Sequence, residues 1–425
     1  MSIRTLLRGR PGPADRRSRA CRPAPESLEV RLALSTAHAT VHAEAFALPS
    51  GYTAARAAAR PVLPPAATTE TATFVDPTAV ISRGTHVGVK EQSYIAPFAI
   101  LLTGRNTILL GQGSNIQDNV MVDARGGDVT IGDNDPIAHD ATIIGPARIG
   151  APGGKPAFMS FNSVVDGATL EPDTIVSGLA RVGPGVVIHS GTKVLPGKFV
   201  RTQAEADDPA LGKVGAVTAA DRAFVQGVLA VNHEFASGYT ELFRESPRNV
   251  RGVGPNPNTP FNPGATLPTL GGQATQAPGF RNRIIGKATL ADTLSRLSRI
   301  LGLQDAIRAD EGHPFVFGRL GRVRNKTTFH ALEGTGITVG QGDFFGFHDV
   351  IHGGPDVPNA DPSEITILGD DIAIGDFSVV YRSTVGNNAR IGHKVYIDKS
   401  NVAAGAVIPD GTILINNKVV GTVEW

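Results

Sequence analysis

Two histidines of this chain follow apolar residues at a spacing that predicts a shared metal site. His330 directly follows Phe329, His352 directly follows Ile351, and 22 residues separate the two histidines. If Phe329 and Ile351 begin stacked strands, both imidazoles lie on one face, about 4.8 Å apart. Imidazole nitrogens bind zinc at roughly 2.1 Å. The pair can therefore supply two ligands to one metal ion.

A third candidate ligand lies far away in the sequence. His139 comes two residues after Ile137, whereas His330 and His352 come one residue after their apolar neighbours. Neighbouring strand residues point to opposite sides, so His139 cannot join the other two within one coil of chain. We expect it to reach them across an interface between two modules.

The elements that hold these histidines are predicted from aliphatic residues that recur every six positions. A period of six fits neither an amphipathic helix nor an alternating strand. Gly, Asn, Asp and Pro fill the intervals and favour turns. Three such units form one triangular coil, and stacked coils bury their aliphatic residues in a continuous core. The first series is Ile131, Ile137, Ile143, Ile149, Val164, Leu170, Val176, Val182, Ile188, Val194 and Val200, and the second is Val339, Phe345, Ile351, Leu368, Ile374, Val380, Val385, Ile391 and Ile397.

Two amphipathic helices flank the repeats. Thr218 and Asp221 form a capping-box start, and Phe224, Val228, Val231 and Phe235 follow at helical spacing, which predicts a helix from 219 to about 244. Leucines at helical spacing (Leu290, Leu294, Leu297 and Leu301) predict a second helix. The predicted organisation is a basic N-terminal segment over 1–35, a disordered linker over 36–72, module one with its C-terminal helix over 73–245, a Pro/Gly-rich linker over 246–283, the amphipathic helix over 284–307, and module two over 308–425.

Composition excludes several classes of protein. The 425 residues carry a formal net charge of +1, which gives no sign of a nucleic-acid partner. Cys21 is the single cysteine, so neither a disulfide framework nor a cysteine zinc site can form. No apolar run approaches the roughly 20 residues of a transmembrane helix. With 50 Gly and 30 Pro, the chain suits a turn-rich β protein.

The N-terminal segment leaves the cellular location open. The first 31 residues hold eight Arg against three acidic residues. Leu28-Glu29-Val30-Arg31-Leu32-Ala33-Leu34-Ser35 resembles a tract that follows Arg-rich leaders in some exported bacterial proteins. A disordered basic tail fits the same composition. The alternatives are therefore export, to the periplasm or outside the cell, and a cytoplasmic protein.

Several motifs occur around the candidate ligands and in and after the first repeat series. They are Arg308-Ala309-Asp310-Glu311-Gly312, the 22-residue interval from Arg308 to His330, His330-Ala331-Leu332-Glu333, Asn115-Ile116-Gln117-Asp118, Ile131-Gly132-Asp133-Asn134, Gln203-Ala204-Glu205-Ala206-Asp207, Val231-Asn232 and Gly238-Tyr239. These motifs resemble those of gamma-class carbonic anhydrases. The resemblance covers residues 73 to about 245 and about 308 to 422, and it implies that two copies of one module have fused. It also implies the fold class, which is all-β with flanking helices and two left-handed parallel β-helix modules of hexapeptide repeats.

The two modules depart from this family in complementary ways. A family site takes two histidines from one subunit and one from its neighbour. Module one has Asp123 and Ile144 in place of the paired histidines but keeps His139 at the neighbour's position. Module two keeps His330 and His352 but has Phe347 there. The resemblance therefore implies one metal site, ligated by His330, His352 and His139, that both modules assemble.

The resemblance also implies a role for other residues. Glu311 and Glu333 in module two would transfer protons, and Arg308 and Asp310 would join Asp118 at the interface. Gln117 and Asn232 in module one would hold the attacking hydroxide and CO₂. The implied reaction is zinc-dependent, reversible hydration of CO₂ to bicarbonate and a proton. Iron or cobalt can replace zinc, because three imidazoles accept all three metals.

Two other functions fit the same repeats. Many hexapeptide-repeat proteins are acyltransferases, in which coenzyme A binds between adjacent modules and a histidine acts as the base. A non-catalytic carbonic-anhydrase-like assembly protein is the other alternative, favoured by the missing ligands in each module. Quaternary structure stays open as well, since the chain can pair its modules internally, form an incomplete or distorted ring, or separate its modules into different trimers, and internal pairing is compatible with a homo-oligomer.

Overall fold

A computed structural model of the chain describes residues 47–55, 61–62, 71–311, 313–354 and 365–425. These described residues all belong to one compact unit. The segment predicted over 1–35 and Gly312 of the family motif lie outside the described residues. In the part of the chain that is described, no helix has the length and apolar character needed to cross a membrane.

Module one consists of short strands that wind through three faces of a prism. Turn residues separate successive strands, so the inward aliphatic side chains recur every six positions. The strands are β1 (Thr53–Ala54), β2 (Phe74–Val75), β3 (Val80–Ser82), β4 (Val87–Val89), β5 (Tyr94–Ile95), β6 (Ile100–Leu102), β7 (Ile108–Leu110), β8 (Asn115–Ile116), β9 (Met121–Asp123), β10 (Val129–Ile131), β11 (Pro136–Ile137), β12 (Thr142–Ile144), β13 (Ala147–Ile149), β14 (Phe158–Met159), β15 (Val164–Asp166), β16 (Thr169–Leu170), β17 (Ile175–Val176), β18 (Arg181–Val182), β19 (Val187–Ile188), β20 (Thr192–Val194), β21 (Phe199–Val200) and β22 (Val214–Ala216).

These strands form three sheets that enclose one apolar core. Sheet 1 has the order β1-β4-β7-β10-β13-β16-β19, sheet 2 the order β2-β5-β8-β11-β14-β17-β20-β22, and sheet 3 the order β21-β18-β15-β12-β9-β6-β3. Strands one coil apart pair in parallel, as Ile137 does with Ile116 and Met159. The antiparallel strands β1 and β22 lie at the ends of sheets 1 and 2. Ile131, Ile137 and Ile143 are fully buried inside the prism.

Module two repeats this construction with longer strands on one face. Its strands are β23 (Val253–Gly254), β24 (Thr269–Leu270), β25 (Gln273–Ala274), β26 (Arg283–Gly286), β27 (Ala288–Leu290), β28 (Ala306–Ala309), β29 (Phe315–Phe317), β30 (Arg322–Val323), β31 (Thr328–Ala331), β32 (Ile337–Val339), β33 (Phe344–Phe345), β34 (Val350–Gly353), β35 (Thr366–Leu368), β36 (Ala373–Ile374), β37 (Val379–Tyr381), β38 (Thr384–Val385), β39 (Arg390–Ile391), β40 (Tyr396–Asp398), β41 (Asn401–Val402), β42 (Val407–Ile408), β43 (Thr412–Ile415) and β44 (Lys418–Thr422).

Three further sheets enclose the core of module two. Sheet 4 has the order β23-β26-β28-β31-β34-β37-β40-β43-β44, sheet 5 the order β25-β24-β27-β29-β32-β35-β38-β41, and sheet 6 the order β30-β33-β36-β39-β42. The strands within each sheet are parallel except for the pairs β24–β25 and β43–β44. The predicted fold class is confirmed, since the described chain is mainly β, with two parallel β-helices and few helices.

The linker predicted over 246–283 is wrong in its extent, because the sheets of module two begin at Val253. β23 pairs in parallel with β26, and β24 pairs in parallel with β27. Leu270 and Ile284 are buried in the core of module two. The Pro and Gly residues that suggested a linker occupy the long connection between β23 and β24.

The helix predicted over 284–307 is also wrong, since α3 spans only Leu294–Ile300. Leu290 begins the helical pattern in the sequence, but it lies in β27 and pairs with Phe317. Ile284 and Leu290 are themselves six residues apart and continue the coil period. Burial in the prism core therefore outweighs the helical spacing of the leucines.

Two other helices follow module one. α1 spans Gln203–Asp207, and α2 spans Ala219–Glu245, in agreement with the helix predicted from 219 to about 244. The Thr218 hydroxyl accepts a hydrogen bond from the Asp221 amide at 3.1 Å, and the Asp221 carboxylate accepts one from the Thr218 amide at 2.8 Å. α2 lies over β2, β5 and β11, so it covers the outer face of sheet 2.

Part of the segment predicted as a disordered linker over 36–72 belongs to module one. Thr53 and Ala54 pair with Val89 and Gly88 of β4 in antiparallel orientation. Val62 forms a bridge with Thr73. Ala55 and Val62 are buried in the module core, and this burial explains why these residues are ordered despite their Ala-rich, Pro-rich surroundings.

The two modules pack directly against each other. The Asn162 side chain donates to the His348 carbonyl at 2.9 Å, and the Trp425 indole donates to the Leu179 carbonyl at 2.7 Å. Apolar side chains from both modules, including Phe161 and Tyr396, form one buried cluster at this contact. Of the arrangements left open by the sequence, the structure therefore shows internal pairing of the modules.

Gly178 offers a test of this packing. A Cβ atom at Gly178 would lie 2.4 Å from Cε2 of Tyr396 in the other module. We expect Gly178→Ala to lower the free energy of unfolding by about 1–3 kcal/mol, the usual cost of overpacking. Gly279→Ala is the control, because a Cβ atom there meets nothing within 4 Å. Denaturant unfolding that gives equal stability for both variants would contradict the close contact.

Candidate metal centre

Three histidines from the two modules meet in one buried cluster. β31 and β34 are neighbours in sheet 4, and their register places His330 beside His352. His139 lies on the turn after β11 of module one, and each of the three residues is 2% exposed. His330 Nδ1 lies 3.0 Å from His139 Nε2 and 3.3 Å from His352 Nε2. The structure therefore brings together the three predicted metal ligands.

The spacing of these nitrogens fits one small metal ion. One ring nitrogen of each histidine lies within 4.8 Å of the other two. Three nitrogens bound at roughly 2.1 Å around a tetrahedral centre are about 3.4 Å apart. The two distances from His330 Nδ1, 3.0 and 3.3 Å, are close to that value.

The other ring nitrogen of each histidine faces an acceptor. His352 Nδ1 lies 2.6 Å from the Gly353 carbonyl oxygen, and His139 Nδ1 lies 3.1 Å from Asp118 Oδ2. His330 Nε2 lies 3.2 Å from Asp310 Oδ1 and 3.1 Å from Glu311 Oε1. The positions of these acceptors favour a proton on the second ring nitrogen and a lone pair on the nitrogen that faces the cluster, which is the arrangement of metal-binding histidines.

The electrostatics favour one positive charge in the cluster. Burial lowers the pKa of His139 to about 4, although Asp118 favours its protonated form. Burial and the neighbouring His330 and His139 lower the pKa of His352 well below its usual range. Burial and Arg308 oppose protonation of His330, but Glu311 and Asp310 raise its pKa to about 9. A metal cation that replaces this proton would keep the positive charge that the two carboxylates stabilise.

Arg308 links the surroundings of the histidines across the module interface. Its Nε donates to Asp310 Oδ2 at 3.0 Å, and its Nη1 donates to Asp118 Oδ2 and, at 3.1 Å, to Gln117 Oε1. Arg308, Asp118 and Asp310 are fully buried. Burial favours the neutral acid at Asp118, but Arg308 and His139 hold the pKa of its carboxyl below the ordinary value. Arg308 and His330 likewise hold the pKa of the Asp310 carboxyl below its ordinary value against the effect of burial, so both carboxylates carry charge and face a histidine of the cluster.

Amide side chains of module one line the small cavity beside the cluster. Gln117 donates to Asn232 Oδ1 at 2.5 Å and to Asn115 Oδ1 at 3.3 Å. Asn232, on α2, donates to the Val228 carbonyl at 2.7 Å. The cavity has a volume of about 30 Å³, and its other walls include Phe158 and Phe161. The structure thus places Gln117 and Asn232 next to the histidines.

The two predicted proton-transfer residues occupy different environments. Glu311 is 4% exposed and lines the cavity, and burial raises the pKa of its carboxyl although His330 acts in the opposite direction. Glu333 is exposed at the surface after β31. The structure therefore brings Glu311 to the histidines and leaves Glu333 in contact with solvent.

Two residues of the site were absent from the predicted set. Asn115 lines the cavity, and its position two residues before Gln117 places both on one strand face. Phe161 stacks on His139 and lies beside His352, at ring-centroid distances of 5.9 and 4.7 Å. Phe161 is 22 residues after His139, one coil further along the prism. The coil period could therefore have predicted that Phe161 lies beside His139.

Asp123, Ile144 and Phe347, the residues that depart from the family pattern, form no second metal-binding cluster in the structure. Asp123 and Ile144 occupy register-paired positions in sheet 3, and Asp123 pairs with Arg125. Phe347 of module two lies under the Arg324 guanidinium at 3.5 Å. His348, beside Phe347, contacts Asp140 at 2.7 Å instead of joining the histidines. Among the described residues, His139, His330 and His352 are the group of this kind that can hold a metal.

Comparison with known proteins gives partial matches. No family model matches the chain. The carbonic anhydrase of Methanosarcina thermophila is 29% identical over 173 residues, which cover 39% of this chain and 65% of that protein. The chain is therefore similar to carbonic anhydrase over this part of its length. The match spans less than two thirds of that relative.

Two further matches are shorter or more distant. The bifunctional protein GlmU of Clostridium acetobutylicum is 37% identical to this chain over 49 residues, 12% of the chain and 11% of GlmU. The crystal structure of a hexapeptide transferase family protein from Anaplasma phagocytophilum is 22% identical, with a TM-score of 0.29, and covers 40% of this chain and 93% of that one.

Proposed function

We propose that this protein catalyses the metal-dependent, reversible hydration of CO₂ to bicarbonate and a proton. The observation that carries the proposal is the convergence of His139, His330 and His352, each with its second ring nitrogen directed at an acceptor. The similarity to carbonic anhydrase supports the same reaction. The small cavity supports a substrate of a few atoms.

The proposed ligand atoms are His139 Nε2, His330 Nδ1 and His352 Nε2. Zinc suits three neutral imidazoles, and iron or cobalt can take the same ligands. Such a metal lowers the pKa of bound water to about 7 and so provides a nucleophile at neutral pH. The two carboxylates, Asp118 and Asp310, hold the ligand rings in place.

Residues of module one would orient the reactants. The Gln117 amide is fixed on both sides, since its nitrogen donates to Asn232 and its oxygen accepts from Arg308. Asn115 Nδ2 has no hydrogen-bond partner in the described part of the chain and can donate to an oxygen of CO₂ or bicarbonate. Phe158 and Phe161 form an apolar wall that suits CO₂ and excludes water. Holding CO₂ in this orientation lowers the entropic barrier to attack.

The two glutamates would move the proton in sequence. Glu311 Oε1 lies at the cluster, 3.1 Å from His330 Nε2, so Glu311 can accept a proton inside the cavity. Glu333 is exposed and can pass the proton to buffer. Both residues belong to module two, whereas Gln117 and Asn232 belong to module one. Each module therefore lacks part of the machinery that the other supplies.

Metal removal tests the proposal. The full chain, purified without a histidine tag, should contain about one metal ion per chain and hydrate CO₂ in a stopped-flow assay. Chelation should abolish most of the activity, and zinc, cobalt or anaerobically added ferrous iron should restore it, because the metal supplies the nucleophile. Exposed His189, which pairs with Glu171 and Asp207, gives a control variant, His189→Ala, that should keep its metal.

Other outcomes would overturn the proposal in distinguishable ways. Tight metal binding without CO₂ hydration would support a non-catalytic assembly protein. Metal-independent transfer of an acetyl group from acetyl-coenzyme A would support an acyltransferase. Hydration that persists after complete metal removal would contradict the proposed role of the three histidines.

A further inference from the structure

Tyr239 reaches the metal centre from α2 of module one. It lies seven residues after Asn232, two helical turns along the same face, and its side chain is fully buried. Its hydroxyl donates a hydrogen bond to Oδ2 of Asp310 in module two. The contact therefore crosses the interface and ends on the carboxylate that faces His330.

The two oxygens of Asp310 have separate partners. Oδ2 accepts from the Tyr239 hydroxyl and from Arg308 Nε at 3.0 Å. Oδ1 lies 3.2 Å from His330 Nε2. Because the carboxylate is planar and rigid, two donors on Oδ2 fix the direction of Oδ1 and hence of the His330 N–H bond. Outer partners of this kind set the orientation and basicity of metal-binding histidines.

The packing of the aromatic rings does not by itself require a hydroxyl group on Tyr239. Tyr94 stacks on Tyr239 at 5.6 Å between ring centroids, with an interplanar angle of 12°, and Phe235 packs on both rings. The Tyr94 hydroxyl is buried without a hydrogen-bond partner among the described residues. The hydroxyl groups of these two tyrosines in one aromatic cluster thus differ in their contacts, because only that of Tyr239 donates to Asp310.

We propose that Tyr239 is a positioning residue for the metal centre, through which α2 of module one orients the ligand histidine of module two. The role rests on the proposed metal site but not on CO₂ as the substrate. The hydroxyl acts through Asp310 and touches no reacting atom.

Tyr239→Phe and Tyr94→Phe test this role as a matched pair. Each change removes one buried hydroxyl from the same cluster and keeps the ring. We expect Tyr239→Phe to weaken zinc binding about tenfold in competition with a chelator, the lower end of the effect of outer partners. The visible spectrum of the cobalt-substituted protein should change as well. Tyr94→Phe should alter neither the zinc affinity nor the cobalt spectrum.

A double-mutant cycle with Asp310→Asn separates positioning from a general loss of stability. If Tyr239 acts through Asp310, its replacement should have little further effect on zinc affinity in the Asp310→Asn background. Equal zinc affinities for Tyr239→Phe and Tyr94→Phe would overturn the role, as would full additivity in the cycle. A wild-type chain that binds zinc in this way without hydrating CO₂ would refute the proposed reaction and leave the positioning role standing, and a wild-type chain that binds no metal would refute both.

Discussion

Replacing His139 with alanine is expected to remove the metal and CO₂ hydration together, although His330 and His352 remain in place. His139 is the proposed ligand from module one, and its Nε2 lies 3.0 Å from His330 Nδ1. Two imidazoles on one sheet cannot complete the three-nitrogen set of a catalytic zinc site. Elemental analysis should give far less than one metal ion per chain. The hydration rate should fall by at least about 10³-fold, because the nucleophile depends on the metal.

His348→Asn is the matched control for this variant. His348 also lies at the contact between the modules, where its Nδ1 is 2.7 Å from Asp140 Oδ1, but it stands apart from the histidine cluster. An asparagine amide can still donate to Asp140, so the metal content should stay near that of the wild type. Full metal occupancy and activity in His139→Ala would show that module two binds the metal without module one. Equal losses in both variants would point to the interface as a whole.

The coil period explains how much of the fold is predictable from sequence. Residues such as Ile131 and Ile137 point into a prism at every sixth position, and no competing pattern disturbs them. The prediction fails where two patterns overlap. Leu290 satisfies both a helical spacing with Leu294 and a coil spacing with Ile284, and the prism core takes Leu290 into a strand. A local pattern cannot show which of two compatible environments gains more buried surface.

The candidate site shows a second limit of sequence reasoning. The spacing of His330 and His352 indicates one column, because both lie on the same strand face in adjacent coils. The convergence of His139 depends on how two prisms pack, and no periodicity within one module contains that information. Asp123, Ile144 and Phe347 stand where the family that the chain resembles has histidines. This complementary loss of histidines in the two modules indicated that they share one site. The role of Tyr239 needed the structure, because its partner Asp310 is 71 residues away.

Among the residues around the proposed metal centre, Arg308 is expected to contribute most to the stability of the protein. Its guanidinium is fully buried and binds Asp118 in one module and Asp310 in the other. Arg308→Met leaves two buried carboxylates without their cation. Removing one partner of a buried ion pair typically costs about 3–5 kcal/mol. We expect a loss of at least this size in denaturant unfolding, together with a large loss of metal affinity.

Two further variants distinguish the loss of a buried charge from the loss of the contacts that Arg308 makes with Asp118 and Asp310. Arg283→Met removes another fully buried arginine of sheet 4, which lies 3.4 Å from Asp76 and contacts neither Asp118 nor Asp310. It should lower stability but leave the metal affinity of the folded protein unchanged.

The second variant combines Arg308→Met with Asp118→Asn and Asp310→Asn. Neutralising both carboxylates in this way should recover much of the stability, because no buried charge is then unpaired. The triple variant should still bind metal weakly, because His139 then faces no carboxylate and His330 keeps only Glu311. If it regained full metal affinity, Arg308 would serve only to stabilise the interface, and the carboxylates would have no part in holding the ligand rings.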